Sequence, residues 1–310
     1  MSIVTASGLT KRWGDHDVLV DTEFTIDTGV TGLLGANGSG KTTLFGMFLG
    51  LHPPTSGQLE VLGLDPRNAG PVVRQRIGYS PEHEALPSDM TAYDFVRHVA
   101  ELHGLPRRAA AGRASDALYE VGLGEERARP CGTMSTGQKQ RVKLAQAIVH
   151  DPQLVLLDEP TNGLDPVQRD EMLHLIHRCG HELGLSVIVS SHLLDEIERT
   201  CDRVVIVANH VVSDGGTLGR TDTPALGVPV VIEVDGSVDD LVRYLTSAGL
   251  NITVDPLRPT VVIVVPPNDP TQAGTVDRRV RDALVQADVG VRSLRRHVRS
   301  LEDLFFEATQ

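Results

Sequence analysis

The residues Gly35-Ala36-Asn37-Gly38-Ser39-Gly40-Lys41-Thr42 follow the pattern G-x-x-x-x-G-K-[ST]. An apolar run, Thr31-Gly32-Leu33-Leu34, precedes them and a helix-like stretch, Thr42–Leu51, follows, which is the context the pattern requires. Small residues let the backbone curl so that successive N–H groups converge, and a helix N-terminus adds a partial positive charge at the same point. That combination is a cradle for a chain of phosphates. Asn37, Gly38, Ser39, Gly40 and Thr43 would supply the wall, Lys41 would bridge the β and γ phosphates, and the Thr42 hydroxyl would hold Mg²⁺. Lys41 is one of four lysines (Lys11, Lys41, Lys139, Lys143) in a chain that otherwise uses arginine.

A second constellation is Leu154-Val155-Leu156-Leu157-Asp158-Glu159-Pro160, an apolar strand ending in two carboxylates. Ligands of open α/β sheets sit at the C-terminal edge of the strands. There Asp158 can hold Mg²⁺ through a water, and Glu159 can orient and partly deprotonate a water for in-line displacement. Taken alone, the same residues are an acidic turn after a core strand; paired with Lys41, they read as chemistry. Met134-Ser135-Thr136-Gly137-Gln138 stands at the start of a helix. Ser135 is a good N-cap, and a helix start with hydroxyl and amide donors is also an anion site.

These groups need elements to hold them. Strands are expected at Ser2–Ser7 and Val18–Asp27 around the polar turn Trp13–Asp17, and again at Gln58–Leu62. From Thr91 to Gly122 the pattern is helical: Thr91 with Asp94 forms a capping box, and Phe95, Val99 and Leu102 share a face. A following helix places Ala110, Ala114, Ala117 and Val121 together. Helix Gln138–Val149, strand Leu154–Leu157, helix Pro166–Leu183 and strand Ser186–Ser190 then alternate, which implies a parallel sheet packed with helices. A Thr/Pro/Gly-containing joint at Thr221–Pro229 separates this part from the rest. Beyond it come strand Val230–Asp235, helix Val238–Ala248, strands Asn251–Asp255 and Thr260–Val265, helix Thr275–Ala287 and strand Val289–Leu294. That β-α-β-β-α-β order is the split ferredoxin-like unit. Ser300-Leu301-Glu302-Asp303 caps an expected short final helix ending in Phe305-Phe306.

The chain has 310 residues, 40% hydrophobic and 23% charged, enough for about two cored domains. Its 29 basic and 41 acidic side chains give a formal charge of −12, and only 4% of residues are aromatic. Such a chain lacks the basic footprint and the stacking surface of a nucleic-acid binder. Cys131, Cys179 and Cys201 are widely spaced with no C-x-x-C pair, which fits a reduced, intracellular setting. No segment approaches the ~18 apolar residues that a bilayer span needs.

Together these residues resemble the nucleotide-binding subunit of ABC transporters over roughly Ser2–Leu218. Gly35–Thr42 is similar to the Walker A loop, Leu154–Asp158 to the Walker B strand and Glu159 to the catalytic glutamate. Ser135–Gln138 resembles the signature loop, with Thr136 in place of its first glycine. Gly163-Leu164-Asp165 resembles the D-loop and Ser190-Ser191-His192 the switch histidine, which would hydrogen-bond the γ-phosphate. Trp13 stands where the family places an aromatic on adenine; on physics alone it is equally a half-buried strand-end aromatic. Ile77–Glu82 resembles the Q-loop with Glu82 in place of glutamine, a side chain still able to meet Mg²⁺ or water. Pro81-Glu82 and the tail around Phe305-Phe306 resemble the drug- and antibiotic-export branch.

The resemblance implies an α/β fold with a P-loop ABC ATPase domain at residues 1–220, a mixed sheet with a helical subdomain near 87–145. It implies a small C-terminal α+β ferredoxin-like domain at 221–310, which could regulate, dimerise or cover an edge. The implied cofactors are ATP and Mg²⁺. The implied partners are a second copy closing Ser135, Gly137, Gln138 and Asp165 over the nucleotide, and a separate transmembrane permease; nucleic acid is not among them. The implied place is the cytoplasmic face of the cell membrane. The alternative is a soluble ABC-type ATPase acting on ribosomes or DNA, which would be expected to carry tandem motif sets or a coiled-coil insert. A P-loop kinase or GTPase is disfavoured, since Thr161-Asn162-Gly163 is not a guanine-reading sequence.

Overall fold

The computed structural model describes residues 2–83, 86–218, 230–235, 238–254, 258–265 and 276–296, which fall into two compact units on either side of residue 219. In the first unit, β1 (Ser2–Trp13) pairs antiparallel with β2 (His16–Asp27) and with β4 (Ser56–Val61). Both β1 and β2 run further toward the hairpin than the alternation pattern predicts, so only Gly14-Asp15 remains as the turn.

The larger sheet holds β3 (Val30–Leu34), β5 (Ile77–Ser80), β6 (Leu154–Asp158), β7 (Ser186–Ser191), β8 (Arg203–Ala208) and β9 (Val211–Thr217), in the order β5-β6-β7-β3-β8-β9. Its first five strands are parallel, and β9 returns antiparallel along β8. Strands β3, β6 and β7 are buried at every residue, the signature of parallel strands covered on both faces. Helix α1 (Lys41–Phe48) lies between the two sheets. Its Leu44, Phe45, Met47 and Phe48 are buried in one cluster with Leu9, Leu19 and Phe24 of the antiparallel sheet and Leu156, Ile188 and Val205 of the parallel one. Burial of such side chains contributes roughly 1.5–3 kcal/mol each, so α1 is anchored from both sides.

Helix α2 (Pro66–Gln75) and strand β5 were not expected from periodicity. Helix α2 starts where the Asp65 side chain accepts from Arg67 N at 2.9 Å, and Pro71 and a kink at Ala69 break its helical pattern. Helices α3 (Ala92–Leu102) and α4 (Arg107–Glu120) pack on each other. Thr91 caps α3 as predicted, but the expected face is corrected. Ala92, Val96 and Ala100 are buried, whereas Leu102 is 72% exposed. The smaller stripe lets α3 approach the equally small Ala110, Ala114 and Ala117 of α4. Helices α5 (Thr136–Ile148), α6 (Pro166–His181) and α7 (Leu194–Thr200) complete this unit.

In the second unit, β10 (Val230–Asp235), α8 (Asp239–Ser247), β11 (Asn251–Val254), β12 (Val261–Val265), α9 (Val276–Ala287) and β13 (Gly290–Arg296) follow the expected β-α-β-β-α-β order. The sheet order is β11-β12-β10-β13, antiparallel throughout. Leu241, Leu245, Val276 and Val280 pack against Val230, Ile232, Val262 and Val264. The expected joint Thr221–Pro229 and the final helix at Ser300–Phe306 lie outside the described residues. Among the described residues no helix is long and apolar enough to cross a membrane.

Candidate functional site

The parallel register decides which side chains meet. Leu34 at the end of β3 is level with Ser191 of β7, and Asp158 of β6 is level with Ser190. The loops leaving β3, β6 and β7 therefore emerge side by side at one edge, the edge where open α/β sheets bind ligands. The loop after β3 turns tightly into α1. Gly40, its N-cap, has φ 107, and a Cβ there would stand 2.8 Å from Val18 Cγ1. No side chain caps α1, so the N–H groups of its first turn keep open valences toward the loop.

Lys41 is 6% exposed and its ammonium is fully engaged. Nζ donates to Gly35 O at 2.7 Å and Ala36 O at 3.2 Å, and stands 3.2 Å from Glu159 Oε1. Thr42 Oγ1 donates to Asp158 Oδ2 at 2.8 Å. Ser190 Oγ donates to Asp158 Oδ1 at 2.6 Å and accepts from Glu159 N at 2.9 Å. His192 Nδ1 is 2.9 Å from Glu159 Oε2. Glu159 is 5% exposed and its backbone is left-handed, φ 45, rare for a residue with a Cβ.

Lys41, Thr42, Asp158 and Glu159 line a cleft of about 410 Å³, to which Ser190 and His192 contribute only through their contacts with the two carboxylates. The loop and α1 contribute Asn37, Gly38, Gly40, Lys41, Thr42 and Thr43; Glu82, Asp158 and Glu159 face them, and Val18 closes one side. Burial pushes the Asp158 carboxyl above its ordinary range, against the pull of the Ser190 and Thr42 hydrogen bonds, and the charges of Glu82 and Glu159 push the same way. A carboxyl raised in the fold is charged at a cost. Without bound ligand the fold therefore loses stability as pH rises through the ordinary aspartate range toward the raised value. Asp158→Asn removes that cost at neutral pH. Thermal melts of the ligand-free chain are expected to show a midpoint higher by roughly 2–4 °C, while Mg²⁺-dependent nucleotide binding is lost. An unchanged or lower midpoint would show that the Thr42 and Ser190 hydrogen bonds outweigh the charge.

Of the other expected residues, Ser135, Gly137, Gln138, Asp165 and Trp13 lie outside the lining of this cleft, while Glu82 is part of it. Ser135 caps α5 reciprocally with Gln138, whose N–H donates to Ser135 Oγ at 3.3 Å while Ser135 N donates to Gln138 Oε1 at 3.1 Å. Ser135 and Thr136 are exposed, Gly137 is buried against Gln168, and none lines the cleft. Asp165 caps α6, accepting from Gln168 N at 2.9 Å. Glu82 Oε1 accepts from Asn162 Nδ2 at 3.2 Å, and the Glu82 carbonyl accepts from Lys143 at 3.0 Å. Trp13 is 47% exposed, edge-on to His52 with centroids 5.0 Å apart and the Lys11 ammonium 4.0 Å from its ring centre; it is not part of the cleft lining. Gly35 and Ser39 form the turn beneath, where a Cβ on Gly35 would stand 2.5 Å from Ser39 Oγ. Sequence reasoning passed over Ser190 as a bridge between Asp158 and Glu159; only the register of β6 with β7 reveals it.

A strand, a glycine loop with a buried lysine, and a carboxylate-ended strand one place further along the sheet, beyond β7, together define a P-loop phosphate site. A profile of the ABC transporter family matches residues 19–162. The bacitracin transport ATP-binding protein BcrA of Bacillus licheniformis is 37% identical over 207 residues, 66% of this chain and 67% of that protein. The uncharacterized ABC transporter ATP-binding protein YdbJ of Bacillus subtilis is 30% identical over 308 residues, 99% of this chain and 95% of that one. Among solved structures, cbiO1 of Clostridium perfringens, part of an ABC transporter complex, superposes with TM-score 0.65 at 30% identity, over 70% of this chain and 89% of that one. The chain belongs to the ABC transporter family: it is an ATP-binding subunit that hydrolyses ATP and works with a membrane permease component.

Proposed function

We propose that this chain powers export of a small molecule through a separate membrane-spanning subunit, from the cytoplasmic face of the membrane. The observation that carries the reading is the convergence of Lys41, Thr42, Asp158 and Glu159 on one cleft, with His192 Nδ1 2.9 Å from the Glu159 carboxylate. ATP would lie along the Gly35–Thr42 loop, with the β and γ phosphates at Lys41 and the α1 N-terminus. The donor set of Thr42 Oγ1 and Asp158, hydroxyl and carboxylate oxygen, suits Mg²⁺, and Ser39 Oγ is buried without a partner in the same turn. Mg²⁺ there would neutralise charge on the phosphates. Glu159 would take a proton from the attacking water as phosphate is released from ADP, and His192 would hold the Glu159 carboxylate in line and meet the γ-phosphate.

Ser135, Gly137, Gln138 and Asp165 belong in this reading to a second copy's site, since their own cleft does not contain them. Closing two copies over shared nucleotides would drive the permease. Trp13 is assigned to the adenine by its place on the β1–β2 hairpin, a few residues before Val18 of the cleft. Residues 1–220 form the ATP-binding domain, with a helical subdomain at 87–145, and residues 221–310 an accessory domain. The antiparallel order β11-β12-β10-β13 with its β-α-β-β-α-β succession supports a ferredoxin-like assignment for the latter. The bacitracin-transport relative supports an antibiotic-like cargo, and the net charge of −12 supports the exclusion of nucleic acid.

Affinity purification of the tagged full-length chain from detergent-solubilised membranes tests the reading. Recovery of a multi-span hydrophobic subunit that stimulates MgATP hydrolysis supports it, whereas recovery on ribosomes or DNA would favour the soluble-ATPase alternative. Glu82→Gln is expected to keep hydrolysis within about an order of magnitude, because both side chains present an oxygen of similar reach to Asn162 and the cleft. Complete loss of steady-state turnover would show that the negative charge itself is needed.

A further inference from the structure

We propose that Glu196 is a positioning residue for ATP hydrolysis, holding the loop after Glu159 and the strand end before His192 at one fixed separation. The inference rests on the reading of Glu159 and His192 given above. Glu196 sits in the first turn of α7 and is 2% exposed. Its Oε2 accepts from Thr161 Oγ1 at 2.9 Å and from Ser191 Oγ at 2.7 Å, and Arg169 Nε stands 3.3 Å from its Oε1.

The three partners come from three different places. Thr161 follows Glu159 in the loop that runs to Asp165. Ser191 is the residue before His192. Arg169 is in the first turns of α6, the helix that Asp165 caps. Ser191 Oγ also accepts from Leu193 N at 3.0 Å, which fixes the start of α7. That local turn requires Ser191 alone; Thr161 and Arg169 bring in the neighbouring loop and helix.

A carboxylate withdrawn from water persists only where it is paired and hydrogen-bonded, and charge-assisted hydrogen bonds are short and directional. Glu196 therefore closes an outer bridge between the two segments, beyond the Ser190 contacts with Asp158 and Glu159 N and the 2.9 Å contact of His192 with Glu159. The inner bridge carries the chemistry, and the outer one sets its length. A displacement of about 1 Å in a reacting group costs up to about 10²-fold in rate. A bridge that confines both segments is thus a rate determinant without touching substrate.

The test uses the full-length chain with Glu196→Gln, Thr161→Val, Thr161→Ser and the double variant Thr161→Val/Glu196→Gln, beside Glu159→Gln. Turnover is read as kcat and KM, and MgATP affinity separately by competition with a fluorescent ATP analogue. Thr161→Val is expected to lower kcat about tenfold with affinity within about twofold, and Thr161→Ser, which keeps the hydroxyl, to restore it. Glu196→Gln is expected to lose at least as much, and the double variant to lose no more than Glu196→Gln, since both cut the same link. In nucleotide-free chain, Glu196→Gln is expected to speed hydrogen exchange at residues 161–165 and 191–193 together and leave 35–42 unchanged. If Glu159→Gln hydrolyses ATP at the wild-type rate, the reading of the base fails. If Glu159→Gln is inert while Glu196→Gln and Thr161→Val turn over normally, or exchange is unchanged in both segments, the positioning role is overturned. Parallel loss of affinity, turnover and thermal midpoint assigns Glu196 to the fold alone and overturns it too.

Discussion

Glu159→Gln is expected to bind MgATP and all but cease to cleave it. The substitution keeps the length of the side chain, the contact with His192 and the place beside Lys41, and removes only the capacity to take a proton. Loss of a general base costs about 10²–10⁴ in rate. Lys41, Thr42 and Asp158 are untouched, so nucleotide should still bind and accumulate uncleaved. On size exclusion this variant should run as a dimer with MgATP and as a monomer with ADP, because the γ-phosphate is the group that a partner's Ser135–Gln138 loop would close upon. Adding Ser135→Arg should abolish the dimer by obstructing that loop. A variant that hydrolyses ATP at wild-type speed ends the assignment of Glu159 as base. A variant that stays monomeric with MgATP counts against the shared site.

Lys41→Ala should lose tight MgATP binding and with it all measurable turnover. The geometry enlarges the expectation beyond the lost phosphate contact. Nζ also satisfies the carbonyls of Gly35 and Ala36 and faces Glu159, so its removal leaves two acceptors and a buried carboxylate without their cation. The unpaired Glu159 is a cost to the fold; the lost contact of the ammonium with the phosphates, a buried charge pair across the binding interface, costs about 2–5 kcal/mol, a loss of roughly 10²-fold or more in affinity at about 1.4 kcal/mol per decade. The thermal midpoint should fall as well, since the loop loses an internal tie, while far-UV dichroism stays near wild type because α1 is held by its apolar residues. Isothermal titration with MgATP and melting curves check both parts. Retained micromolar binding would remove the cradle assignment.

Much of this is legible in the sequence itself. The cradle, the carboxylate-ended strand and the Ser135 cap each rest on local patterns, where residue type and spacing act directly on the backbone. The β-α-β-β-α-β succession in the second unit was readable for the same reason: alternating apolar residues mark each strand, and Val276, Val280 and Leu284 mark the helix. What escaped was of two kinds. Helix α2 hides behind Pro66 and Pro71, and β5 is four residues in which Gly78 allows close approach to Ala147, so neither shows a clear period. The role of Ser190 and the convergence on Glu196 depend on side chains brought together by sheet register and loop packing, and no linear spacing encodes them. The face of α3 was misread because size governed the choice: alanines that pack closely outrank a leucine that would hold two helices apart.

One backbone angle carries a thermodynamic consequence. At φ 45, position 159 is a site where glycine would rest at ease and any residue with a Cβ pays a steric penalty. The fold therefore carries on the order of 1 kcal/mol of strain, together with a buried charge, to keep a carboxylate there. Against a total stability of about 5–15 kcal/mol for an ordinary domain, that is not negligible. Stability alone would favour a glycine that anchors nothing and reacts with nothing. If Glu159 is the base proposed above, glutamate at this turn is a measure of what hydrolysis is worth to the molecule, set in the same units as folding.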